Sequence, residues 1–131
     1  MTGGEMMGDL SRRALACKGW RWMPGMLALF LDEDEDPPVW VRERVQWVES
    51  PRSFWPVRSG RPVRATVYLP DITDPATLGC LLALVRDAHR DAFMAAGNDG
   101  PDWVVRDCDG YEVCRGSSER AVLVAALEAA E

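Results

Sequence analysis

The sequence is poor in the residues that do chemistry. Its 131 residues hold one histidine, His89, and one lysine, Lys18, against fourteen arginines. The stretches "SGRP" and "GNDGP" lack both the spacing and the lysine of a phosphate-binding loop. No nucleophile elbow occurs. Nor does a CxxC pair: Cys17, Cys80, Cys108 and Cys114 stand apart, and a set of Cys108, Cys114 and His89 matches no common zinc module. Small core residues kept as thiols is the better reading of the cysteines. No apolar run nears the ~20 residues of a membrane span. The start, "MTGGEMMGDLSRR", lacks the basic-then-apolar order of a signal peptide, so a cytoplasmic protein is expected. Without an active-site constellation, the expectation is a non-enzymatic protein with no cofactor and no metal.

What the chain does have is unevenly placed charge. Net charge is −6, and the run Asp32-Glu33-Asp34-Glu35-Asp36 alone carries five of those negative charges. From Pro37 to Pro70, six arginines face only Glu43 and Glu49. The overall acidity argues against general DNA binding, which depends on neutralising phosphates. The acidic run also lacks the turn glycine and closing glutamate of a calcium loop, so it reads as a solvated loop over residues 32–38.

The length fits one α+β domain over residues 1–131, with residues 1–8 flexible. "GDLSRRALACKG" reads as a helix capped by Asp9 and ended by Gly19. "MLALFLD" reads as a strand. "PVWVRERVQWV" alternates, with Val39, Val41, Val45 and Trp47 inward and Trp40, Arg42, Arg44 and Gln46 outward; Glu43 breaks the apolar side. "ESPRSFWPVRSGRP" is expected to be a loop. "VRATVYL" is expected to be one strand, with Val63, Ala65, Val67 and Leu69 on one face and Arg64, Thr66 and Tyr68 on the other.

Asp74-Pro75 is a helix-start signal: a carboxylate for free N–H groups, then a ring already at helical φ. The stripe Leu78, Leu81, Leu82, Val85, His89 and Ala92 predicts a packing helix of about twenty residues ending near Gly97. His89 on that stripe is read as a packing residue rather than a general base. Gly79 implies close approach of a strand. "WVVRDCDGYEVCR" predicts a hairpin, with either a two-residue Asp109-Gly110 turn or a three-residue loop with Gly110 left-handed. The second is preferred; it sets Arg106 opposite Glu112 and puts Trp103, Val105, Tyr111 and Val113 on one face. "SSERAVLVAALEAAE" predicts a helix capped at Ser117 or Ser118, apolar enough to be deeply packed or shared in a homo-oligomer. The order is α-β-β-β-α-β-β-α, an antiparallel sheet with helices on one face.

Six tryptophans are many for this length. Trp47 and Trp103 are in phase with apolar neighbours and read as core; for Trp20 and Trp22, core is favoured over a pocket rim. Trp40 is out of phase. If the two middle strands are neighbours, Trp40, Arg42, Arg44, Arg64 and Tyr68 form one exposed patch suited to a nucleotide or an acidic protein partner. The alternative is that Trp40 covers a sheet edge while the arginines pair with Asp32 to Asp36.

"GWRWMPGM", "PDITDPATLGCLLALVRDA" and "AVLVAALEAA" together resemble a group of small accessory proteins encoded by tailed phages and prophages. The longer matches, with the hairpin between the last two, span about half of the chain. The resemblance implies a phage accessory gene and brings no catalytic or binding residue with it. Three readings follow. The first is a protein that binds a host protein to blunt a defence system, with Asp32, Glu33, Asp34, Glu35 and Asp36 as a partner-facing loop. The second is a binder that sequesters a nucleotide signal on the Trp40 face. The third is a minor virion or assembly protein.

Overall fold

A computed structural model describes residues 3–58 and 60–131. The chain runs α1 (Gly3–Ala16), β1 (Leu27–Asp32), β2 (Val39–Ser50), β3 (Ser53–Pro56), β4 (Val63–Arg64), a 3-10 turn (Ala65–Val67) and β5 (Leu69–Pro70). It continues through α2 (Pro75–His89), β6 (Ala95–Asp99), β7 (Asp102–Arg106), β8 (Glu112–Gly116) and α3 (Glu119–Ala129). The α+β class holds, but the strands make two antiparallel sheets rather than one, in orders β4-β3-β2-β1-β5 and β6-β7-β8.

The first sheet curls on itself. Its edge strands β4 and β5 are joined by the short 3-10 turn, yet three strands lie between them. Flat, those edges would sit about 19 Å apart; the link from Arg64 to Leu69 spans only about 13 Å. The long strand β2 makes the bend, pairing with β1 along one half and β3 along the other, with register shifts around Gln46 and Glu49. "VRATVYL" is therefore not one strand: Val63 and Ala65 face inward and Arg64 and Thr66 outward as expected, but the faces swap at its end. Val67 is 52% exposed and Tyr68 is buried, because the 3-10 turn rotates the chain between two strand pairings.

The bulge also reverses Trp47. Strict alternation puts it inside with Val45; the extra residue at Gln46 leaves Val45 and Val48 facing the core and turns Trp47 out, 44% exposed. The segment expected as a loop contains β3, whose Phe54 is fully buried. The expectation at Ser59 lies outside the described residues. An aromatic chain fills the curl: Trp20 meets Trp22, Trp22 meets Phe54, Phe54 meets Tyr68, and Tyr68 meets Phe30, at centroid distances of 5.2–5.6 Å.

Helix α1 begins at Gly3 and takes in residues 3–8, so Asp9 is an exposed interior residue and not a cap. For residues 1 and 2 the expectation lies outside the described residues. Asp74 caps α2 by accepting from the Thr77 N–H at 3.0 Å. Thr77 Oγ1 in turn accepts the Leu27 N–H at 2.8 Å, fastening the helix start to β1. The helix stops at His89, well short of Gly97. Arg90 takes the left-handed conformation (φ 54°), and the Asp91 and Arg90 N–H groups return to the Arg86 and Asp87 carbonyls. Ala92 is thus off the stripe, and residues 95–99 form β6, which composition alone did not suggest.

The hairpin pairs Arg106 with Glu112 and holds Gly110 at φ 85°, as the longer loop requires. A register shift after Val105 sets it opposite Cys114 and leaves Tyr111 out in solvent. Ser118 caps α3 through the Ala121 N–H. Val122, Leu123, Val124, Ala126 and Leu127 are fully buried, because α3 lies on the second sheet and is flanked by α1 and α2. Packing within one chain thus accounts for its apolar circumference.

Candidate binding surface

The five residues expected to form one patch are dispersed. Trp40 is 54% exposed at the start of β2, over a shallow hollow floored by Leu31, Leu69 and Val67. Arg42 shares its strand face and makes no ion pair among the described residues. Arg44 is committed elsewhere: it donates to Asp74 at 2.6 and 3.1 Å and to the Gly25 carbonyl at 2.9 Å. Arg64 sits on β4, with β3 between it and β2. Tyr68 points into the curl, where burial and then the nearby Glu43 carboxylate push its phenol up. Only Trp40 and Arg42 remain as an exposed pair. The acidic run closes the β1–β2 turn, with Glu33 to Asp36 exposed and the Asp34 N–H bonded to Asp32 Oδ1 at 3.1 Å.

A different surface is assembled on the far half of the first sheet. Trp47 on β2 and Trp55 on β3 are directly paired and stack at 5.3 Å with 14° between rings. Phe54 and Val48 face the core, so the two indoles lie on the outer face. The Trp55 indole N–H is buried without a hydrogen-bond partner among the described residues. Arg52, Arg58 and Arg64 are exposed on the same half and make no ion pair among the described residues.

Beside them, two hollows meet at Thr66. One, of about 740 Å³, is lined by Glu49, Arg52, Ser53 and Arg64. The other, of about 380 Å³, is walled by Trp20, Trp22, Pro51 and Tyr68. Set against known proteins, the sequence matches no family model and no curated protein, and the fold matches no solved structure. The site must be read from its own residues.

His89 donates Nε2–H to the Ala126 carbonyl at 2.7 Å, between α2 and α3, away from both hollows. All four thiols are pushed up, desolvation being the first cause in each, and Cys17 reaches about 11. Little thiolate would be present at neutral pH. Among the described residues no three Cys, His, Asp or Glu side chains are placed to hold a metal ion, and no helix is long and apolar enough to cross a membrane. The surface was missed in the sequence because the bulge hides the phase of Trp47 and because its walls come from three distant segments.

Proposed function

We propose that this chain is a non-enzymatic protein-binding module and, on its resemblance to phage and prophage accessory proteins, that its partner is a host protein of the cytoplasm, bound to blunt a defence. The observation that carries this reading is the stacked Trp47–Trp55 pair on an outer sheet face, with Arg52, Arg58 and Arg64 near it. Tryptophan and arginine dominate the energetics of protein interfaces, the ring supplying area and the guanidinium bidentate hydrogen bonds. An outward indole pair leaves apolar surface in water, which the fold itself does not require. The nucleotide reading needed Trp40, Arg42, Arg44, Arg64 and Tyr68 to converge; with Arg44 held by Asp74 and Tyr68 buried, that support is gone.

The test is capture from a bacterial host lysate by the tagged wild type, Trp47→Ala and Arg64→Glu, with circular dichroism checking the fold of each. A protein retained by the wild type and lost from both variants is the expected result. The same protein retained equally by all three would overturn the reading.

A further inference from the structure

We infer that the two joined hollows form a peptide groove, taking an extended segment of a protein partner in which an apolar side chain, proline included, lies a few residues from a single carboxylate. This rests on the protein-binding reading above and names the chemistry of what is bound.

The apolar half of the groove is walled by Trp20, Trp22, Pro51 and Tyr68. Its lining is more apolar than polar. The Trp20 indole N–H is sealed from solvent, and Arg21 at the rim is held by Asp87 at 2.9 Å. The Thr66 hydroxyl at the junction, the Tyr68 phenol and the remaining Arg21 N–H groups are left. A nucleobase entering here would strip the several donors and acceptors of its edge of water and meet mostly ring faces in exchange. An aliphatic side chain or a proline ring brings no such groups, and aromatic-lined grooves suit extended proline-containing segments because their backbone is already ordered.

The second half sets the charge. Arg52 and Arg64 stand with Glu49, a local balance of one positive charge. One carboxylate matches that balance. A di- or triphosphate would exceed it and meet Glu49 as well. Both β4 residues, Val63 and Arg64, line this half together with Ser53 of the paired strand β3.

The experiment is selection of a random peptide display library on the full chain, then titration of the synthesised peptides by tryptophan fluorescence. Enriched peptides should pair proline or an aliphatic residue with Asp or Glu. Arg64→Glu should weaken them about tenfold, as should replacing the peptide's acid by its amide. A lysine in place of that acid should recover part of the binding to Arg64→Glu, a rescue that a merely damaged fold cannot give. Peptides that ignore Arg64→Glu but are lost on Trp47→Ala would overturn the groove while leaving the protein-binding reading standing. Enrichment without acidic residues, or none above background, overturns the inference alone, since host capture is scored separately. AMP or ATP binding that is lost on Arg64→Glu would overturn it in favour of a nucleotide site.

Discussion

Glu43 interrupts the apolar face of β2, and one of its carboxylate oxygens is buried without a hydrogen-bond partner among the described residues. Such a group costs about 1–3 kcal/mol. Glu43→Leu, between Val41 and Val45, should therefore raise the thermal midpoint by several degrees; a lower midpoint would mean the carboxylate is better solvated than its position implies. Glu43 is also the second cause, after burial, of the raised Tyr68 phenol. In a Tyr111→Phe background Tyr68 is the one remaining phenol. Adding Glu43→Gln should then move its absorbance titration down, while burial still holds it above the ordinary value. Two glycines make a second contrast. A methyl group at Gly79 would meet nothing within 4 Å, whereas one at Gly19 would lie 3.1 Å from Leu127 Cδ1 and 3.2 Å from Ala88 Cβ. The close approach expected at Gly79 is found at Gly19, where the chain after α1 passes between α2 and α3. Gly79→Ala should stabilise by about 1 kcal/mol and Gly19→Ala should destabilise by about 1–3 kcal/mol. Urea midpoints of the two variants measure both, and equal shifts of one sign would refute the placement.

At the scale of elements, the start of α2 fastens the helix to the curled sheet. Asp74 caps the helix, receives Arg44 from β2, and through Thr77 meets β1. The Arg44 hydrogen bond, aided by those of Thr77, holds the Asp74 carboxyl below its ordinary value. A depressed folded value means that the stabilisation is complete above about pH 4, the unfolded value, and drains away as pH falls through the lower folded one. Asp74→Asn keeps a capping oxygen but loses the charge pair with Arg44, and should cost up to about 1 kcal/mol at pH 7, with a smaller gap from wild type at pH 3. A gap that stays constant between those pH values would show that the charge contributes nothing. This element was legible because Asp-Pro before an apolar stripe is a local signal, as is glycine in the β7–β8 loop and serine before α3. The unread elements depended on tertiary context. Ala95–Asp99 has no strand-forming composition and pairs only because β7 is there. Arg90 ends α2 in a conformation for which no glycine advertises.

Across the whole molecule, charge is separated along β2. The acidic turn precedes its first residue, Val39, and the Trp47–Trp55 surface lies near its last, Ser50. The arginine surplus after Pro37 was readable from the sequence, but the arginines that stay unpaired were not, since Arg44 finds Asp74 only in the folded chain. The groove itself was illegible for the same reason: Trp20, Pro51 and Arg64 meet through the curl of the sheet. The curl brings the acidic turn nearer the groove than the length of β2 implies: Glu33 and Val67 line one hollow, and Val67 adjoins Thr66, where the two halves of the groove meet. From Glu33 on, the run itself stands exposed in water, where a Debye length of about 8 Å at physiological salt screens most of its pull on a carboxylate bound at Arg64. Replacing Asp32, Glu33, Asp34, Glu35 and Asp36 by their amides should therefore leave groove-bound peptide affinity unchanged within about twofold. Host capture should persist as well if the partner rests on the Trp47 face alone. Capture lost in that variant, with peptide affinity and fold intact, is an effect that so screened a field cannot supply. It would make the acidic turn a second point of direct contact.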